Sequence, residues 1–191
     1  MHSTTLLSAL ALAGTALSVP LFVPRQADAC FIIGSTTLPA EVADVVTALG
    51  SSITCSTSAT TISNVPDVTS GSTTFSSINF ASSSSSALTF ALSEFATETP
   101  LASTDLALFQ DQLNVYLATE AGIRSVGGNL AIKAPKFFLA FQVARIKTAQ
   151  GIAITDPGQT VEHLLGKVTK NAIRESQATL DQITALASVL A

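Results

Sequence analysis

Two helical segments joined by a pair of glycines constrain the fold more than any other feature. Between Ser103 and Val126, apolar residues recur every three or four positions, the spacing of one helix face. These residues are Leu106, Phe109, Leu113, Tyr116 and Ile123. Gly127-Gly128 ends this helix, and a second helix begins near Pro135 and ends near Gln150. The sequence therefore predicts a helical hairpin at the glycine pair.

The second of these helices carries three phenylalanines and is apolar around most of its circumference. Such a helix is usually central and buried, which favours a filled core. An apolar cavity between helices and an exposed surface-active patch are the alternatives. The side chains that would line such a cavity are the aromatic residues of three predicted helices: Phe95, Phe109, Tyr116, Phe137, Phe138 and Phe141.

Three further segments show helical spacing: Leu38–Leu49, Ser84–Thr97 and the stretch that follows Asp156. In the last of these, Asp156 is the predicted N-cap, with Pro157 in the first turn. This stretch exceeds 30 residues and forms one long helix or two. The predicted fold is mainly α: a small bundle of four to six helices with an irregular Ser/Thr-rich insertion and one disulfide.

The insertion is defined by its composition, since 22 of the 39 residues from Ser51 to Thr89 are serine or threonine. This composition favours loop, short irregular strand or disorder over helix, and we expect residues 51–83 to be irregular. It also suits O-glycosylation. A solvated connector and a mannosylated spacer both remain open.

The N-terminus has the pattern of an export signal. Leu6 to Val19 is an apolar run of 14 residues, too short to cross a bilayer, and Ser18 ends a small-residue cleavage site. We expect residues 1–18 to be a signal peptide and residues 19–29 a leader, with a further cleavage after Arg25 as an option. Residues 30–191 would then form a single mainly helical domain. The protein is expected to be secreted, extracellular or associated with the cell wall.

Two cysteines, Cys30 and Cys55, follow the signal. In a secretory compartment an even pair is most simply one disulfide. No later apolar run reaches the length of a membrane span, so no transmembrane segment is expected.

Charge is divided unevenly along the chain. Nine acids and no bases occur between Gln26 and Ile123, whereas eight bases and two acids occur between Arg124 and Arg174. The bases indicate either a basic face for an anionic surface or glycan, or complementarity between elements of one bundle. The formal net charge is −4 and no recognition module is present, which argues against nucleic acid as a partner.

Motifs for catalysis are lacking. His163 is the only histidine that would remain after signal cleavage, and no Gly-x-Ser-x-Gly elbow, metal signature or phosphate loop occurs. We predict no catalytic residue, no metal site and no cofactor. The alternative is a hydrolase of unrecognised type that uses His163.

The stretches QLNVYLATEAGIRSVGG (residues 112–128) and IKAPKFFLAFQVARI (residues 132–146) resemble a group of fungal small secreted proteins of unassigned function. A weaker likeness is to the fungal hydrophobic-surface-binding and cell-wall mannoprotein family, through the turn from Lys133 to Phe137. These resemblances imply a helical secreted chain, and the weaker one implies an apolar ligand.

The leading functional hypothesis is a non-enzymatic secreted protein that acts by interaction, or by binding a hydrophobic ligand or surface. Its partner would be the cell wall, a host surface or lipid. The alternatives are the hydrolase using His163 and an O-glycosylated structural protein of the cell wall.

Overall fold

Helices dominate the computed structural model of the chain, which describes residues 29–172 and 174–190. The predicted signal peptide and all of the leader except Ala29 lie outside the described residues. Within them the helices are α1 (Ala40–Leu49), α2 (Ala87–Glu94), α3 (Leu106–Ser125), α4 (Lys133–Ala149), α5 (Val161–Asn171) and α6 (Gln177–Leu186). The mainly α fold class is confirmed, although a small β-sheet accompanies the helices.

The hairpin of α3 and α4 forms the centre of the molecule. The Asp105 carboxylate caps α3 by accepting hydrogen bonds from the backbone N–H groups of Ala107 and Leu108. At the other end, Gly127 adopts a φ of 67° and Gly128 donates to the Ile123 carbonyl at 2.9 Å. Helix α4 then packs against α2, α3 and α5, which accounts for its apolar circumference.

The Ser/Thr-rich region, expected to be irregular, contains a three-stranded antiparallel sheet. Its strands are β1 (Thr54–Thr60), β2 (Pro66–Ser70) and β3 (Thr73–Thr74), in the order β1-β2-β3. The region folds because Val65, Val68 and Phe75 are completely buried, and β2 and β3 pack against α3. Threonine and valine also favour extended backbone. A few buried apolar residues thus outweigh the polar composition of the region.

The predicted disulfide between Cys30 and Cys55 is confirmed. The two cysteines are 25 residues apart, and their Cα atoms are separated by 6.0 Å. The bond ties the segment before α1 to strand β1, so it joins helix and sheet at one edge of the core.

The last helical stretch is two helices, α5 and α6. The predicted cap at Asp156 begins only a short 3-10 turn, Pro157–Gln159, and Thr160 caps α5 by accepting from the His163 N–H. Ser176 caps α6 in the same way. Local capping residues therefore divide a stretch whose apolar spacing alone is continuous.

Two polar groups attach these last helices to the rest of the protein. The buried Arg145 guanidinium donates to the carbonyls of Leu186 and Val189, at 2.8 and 2.9 Å. The Glu175 carboxylate accepts from the Leu88 N–H at 3.1 Å, at the start of α2. The Glu175 contact satisfies a backbone N–H at the start of α2, which has no intrahelical acceptor, and the Arg145 contacts hold the end of α6 and the turn after it.

Candidate ligand-binding cleft

A cleft of about 560 Å³ lies among α1, α3, α4 and α5. Its volume is within the range of small-molecule sites in proteins. The elements that border it are distant in the sequence, from Glu41 in α1 to Asn171 in α5. The cleft is therefore a product of the tertiary fold.

Seven of the side chains that line the cleft are apolar. Helices α1, α3 and α4 each contribute two of these side chains, three or four residues apart on one helix face, and α5 contributes one. These side chains are Val42 and Val45 from α1, Leu113 and Leu117 from α3, Phe137 and Ala140 from α4, and Leu164 from α5. Val45, Leu117, Phe137 and Ala140 are only half-buried, so part of this wall is accessible to a ligand.

Cationic side chains also line the cleft. Five of the eight bases between Arg124 and Arg174 are found here: Arg124, Lys133, Lys136, Lys167 and Lys170. The carboxylates of the lining are Glu41 and Glu120. The uneven charge along the sequence thus becomes a local excess of positive charge around one cavity.

Glu120 holds two of these cations. One of its carboxylate oxygens lies 2.8 Å from an Arg124 guanidinium nitrogen, and the other lies 2.6 Å from the Lys136 ammonium nitrogen. The Glu120 side chain is only 3% exposed. An acid on the apolar stripe of α3 is therefore explained by its two partners, since a buried charge requires pairing.

Lys136 is unusual for a lysine because it is largely buried. Burial lowers the pKa of its ammonium group, and the nearby Glu120 carboxylate partly opposes that effect. The ammonium also lies 3.9 Å from the centre of the Phe137 ring, a cation–π contact. Lys136 therefore joins the charged and apolar parts of the lining.

The other three lysines of the cleft, Lys133, Lys167 and Lys170, differ from Arg124 and Lys136, which are paired with Glu120. Among residues 29–172 and 174–190, no carboxylate oxygen lies within 4.0 Å of their ammonium groups. Lys167 and Lys170 are exposed on α5, and Lys133 is half-buried at the start of α4. Charge complementarity between elements of one bundle, one of the two interpretations of the sequence, thus accounts for Arg124 and Lys136. It does not account for the other three lysines of the cleft, which have no acidic partner among the described residues.

The six aromatic residues predicted to line an apolar cavity are not gathered at one site. Phe137 lines the cleft, whereas the other five are buried in the core: Phe95, Phe109, Tyr116, Phe138 and Phe141. Tyr116 lies at the centre of this aromatic core, with its ring centroid 5.1 Å from that of Phe75 and 5.8 Å from that of Phe95. Its hydroxyl donates to the Ile78 carbonyl at 2.7 Å, and burial raises the pKa of that hydroxyl.

His163 lines the cleft from the first turn of α5. Its side chain is exposed, and no hydrogen bond to its ring nitrogens forms within the described part of the chain. The lining contains no serine, threonine, cysteine or tyrosine to serve as a nucleophile. Nor do any three His, Cys, Asp or Glu side chains of the described residues come together in a group able to hold a metal ion.

The cleft was not predicted from the sequence as a site. The available signal was the concentration of bases after Arg124 together with Phe137 beside Lys136. Neither indicated that α1 and α5 would face the same cavity, because helices distant in sequence meet only through tertiary packing.

Fold and cleft together define a mainly α protein with a cleft lined by apolar and cationic side chains. The chain belongs to the family described as a domain of unknown function, DUF7143, whose model matches residues 32–191. The match includes every helix that borders the cleft. No curated protein and no solved structure matches the chain. In the part of the chain that the structure describes, no helix has both the length and the apolar character needed to cross a membrane.

Proposed function

We propose that this protein is a non-enzymatic binding protein that takes up a small, largely apolar molecule in the cleft. The observation that carries the proposal is a concave wall of seven apolar side chains, four of them only half-buried, around about 560 Å³. Small-molecule sites are usually clefts of this size in which apolar side chains are combined with polar groups that orient the ligand, and this lining contains both. Burial of the ligand's apolar surface would supply most of the affinity.

We place this role at the cell exterior, as the sequence predicts. The disulfide between Cys30 and Cys55 supports that location, since such bonds persist in oxidising compartments. Secretion and the resemblance to fungal small secreted proteins stay predictions. Detection of the mature protein in the culture medium, with its N-terminus after Ser18, would test both the export and the cleavage site.

The binding proposal is tested with phenylnaphthylamine, a neutral probe whose fluorescence rises in apolar surroundings. The wild-type protein should bind it saturably. Ala140→Phe should abolish binding, because the new ring would fill the cleft beside Phe137. Ala107→Phe, the same substitution at an exposed position of α3 outside the lining, is the control and should bind like wild type. No saturable binding by the wild type, or equal binding by both variants, would refute the proposal.

A second candidate is a hydrolase that uses His163, favoured by the position of that imidazole in the cleft lining. Such an enzyme would release nitrophenol from aryl esters, and His163→Asn would lose that activity. Under the binding proposal, His163→Asn binds the neutral probe like wild type, and neither protein hydrolyses the esters above the rate in buffer.

A third candidate is an O-glycosylated structural protein of the cell wall. Thr57, Ser58 and Thr60 of β1 are exposed, as a modified hydroxyl must be. The intact mass of protein from its own host distinguishes this candidate, since heavy glycosylation would add a ladder of hexose units.

A further inference from the structure

We infer that the molecule bound in the cleft carries an acidic head group, and that Lys133, Lys167 and Lys170 bind this group. The inference rests on the proposed function and specifies its ligand class: an amphiphile with an apolar body and a carboxylate, sulfonate or phosphate head.

The first step is the charge balance of the lining. Its five cations face two carboxylates, and Glu120 is already engaged by Arg124 and Lys136. The three remaining lysines have no acidic partner among the described residues. Like charges around one cavity repel each other and raise the local concentration of anions. An anionic ligand would relieve that repulsion.

The second step concerns the start of α4. This helix of 17 residues has no acidic residue in its first turn and no side-chain cap, and it begins with Lys133. The N-terminus of a helix carries a partial positive charge and favours anions. In α5, by contrast, Thr160 caps the helix and Glu162 lies in the first turn. Lys133 therefore adds positive charge at the positive end of the α4 dipole, whereas Lys136 is paired with Glu120.

The third step is the arrangement of charged and apolar side chains along α4. Lys133, Lys136, Phe137 and Ala140 lie at positions i, i+3, i+4 and i+7, which share one face of a helix. Positive charge lies at the start of this face, and the apolar side chains follow it. A ligand with an acidic head and an apolar body matches this order, with the head near Lys133 and the body against Phe137.

The fourth step is the position of the other two lysines on α5. Lys167 and Lys170 are three residues apart on this helix and line the same cleft. Both are exposed, so their flexible side chains can move towards a head group at the mouth of the cleft. The acidic group would thus be held by lysines from two helices.

The test compares two probes that differ by one charged group: phenylnaphthylamine and its sulfonated derivative, anilinonaphthalene sulfonate. Wild-type protein should bind the sulfonate at least about tenfold more tightly than the neutral parent, a difference of about 1.4 kcal/mol. In Lys167→Gln/Lys170→Gln, this preference should fall to about twofold or less, because affinity for the sulfonated probe falls much more than affinity for the neutral probe. Because both lysines are exposed, this variant should fold, and far-UV circular dichroism checks that it does.

The control is Lys147→Gln/Arg174→Gln, which removes the same net charge from positions outside the lining. It should keep the wild-type preference. An equal loss in both double variants would indicate a long-range field and overturn the assigned lysines. Lys133→Gln tests the third lysine in the same way and should also reduce the preference.

Three further outcomes distinguish a failure of the acidic head group from a failure of the proposed binding function. Equal affinity of the wild type for both probes would overturn the acidic head group and leave the binding function standing. No binding of either probe would overturn both. Inorganic sulfate should stabilise the protein far less than the sulfonated probe does at equal concentration. An equal shift in melting temperature would identify the ligand as a free anion and refute an amphiphile.

Discussion

Replacement of Glu120 by glutamine tests the electrostatics of the cleft most directly. The substitution keeps the shape of the side chain and removes the charge that faces Arg124 and Lys136 at 2.8 and 2.6 Å. The two cations would then face each other without a counter-ion in a largely buried place. Loss of one member of a buried ion pair commonly costs about 3–5 kcal/mol. We expect about 3 kcal/mol, because the Arg124 and Lys136 side chains remain 18% and 11% exposed.

The assay is urea unfolding followed by far-UV circular dichroism, together with a thermal melt. For a chain of this length, about 3 kcal/mol corresponds to a fall in melting temperature of roughly 6–12 °C. Glu41→Gln is the matched control, since this carboxylate lines the same cleft but is exposed and forms no ion pair within residues 29–172 and 174–190. It should leave the free energy of unfolding nearly unchanged.

Glu120→Gln has a second consequence that separates the electrostatic explanation from simple loss of packing. The variant cleft has one more net positive charge, so the sulfonated probe should raise its melting temperature more than it raises that of the wild type. A variant as stable as Glu41→Gln would refute the buried ion triad. A destabilised variant with no larger response to the probe would show that the triad is structural and separate from the site.

Three other predictions concern the fold. Removing the disulfide in Cys30→Ser/Cys55→Ser should lower the free energy of unfolding by about 3 kcal/mol, and an unchanged urea midpoint would contradict this. Tyr116→Phe should cost about 1–3 kcal/mol, because it leaves the Ile78 carbonyl without its donor; a thermal melt equal to wild type would contradict it. The pKa of Lys136 is lowered in the folded state. Between that lowered value and the ordinary pKa of 10.5, the unfolded chain therefore binds more protons than the folded chain does. The free energy of unfolding should rise with pH in this interval. Lys136→Gln should lose this rise, so parallel stability curves for variant and wild type at pH values just below 10.5 would refute it.

The helices were largely predictable because their signals are local. Apolar spacing located α3 and α4, and the glycine pair located the turn between them. The buried character of α4 followed from its apolar circumference. The sequence left open whether α5 and α6 are one helix or two, because their apolar spacing is continuous. The two helices begin where Thr160 and Ser176 cap them.

The sheet and the cleft could not be predicted in the same way. Serine and threonine outnumber the apolar residues of the sheet region, and the composition obscures the few that matter, Val65, Val68 and Phe75. The aromatic residues that suggested a ligand site are mostly core residues, because a stripe of rings on a helix looks the same whether it faces a cavity or another helix. Only the packing of four helices distinguishes Phe137 from Phe138.

The contacts of the last two helices bear on how the chain folds while it is being synthesised. Arg145 can donate to the carbonyls of Leu186 and Val189 only after these residues have left the ribosome. In the same way, the Leu88 N–H at the start of α2 can donate to Glu175 only after Glu175 has left it. Until then the Nε and Nη2 groups of Arg145 and the Leu88 N–H lack these acceptors, whereas Arg145 Nη1 donates to Gln142 on the same helix. The contacts that fix α6 against Arg145, and the one between Glu175 and the start of α2, therefore form only after residues 175–189 have been translated, and a chain that stops before Glu175 would lack both.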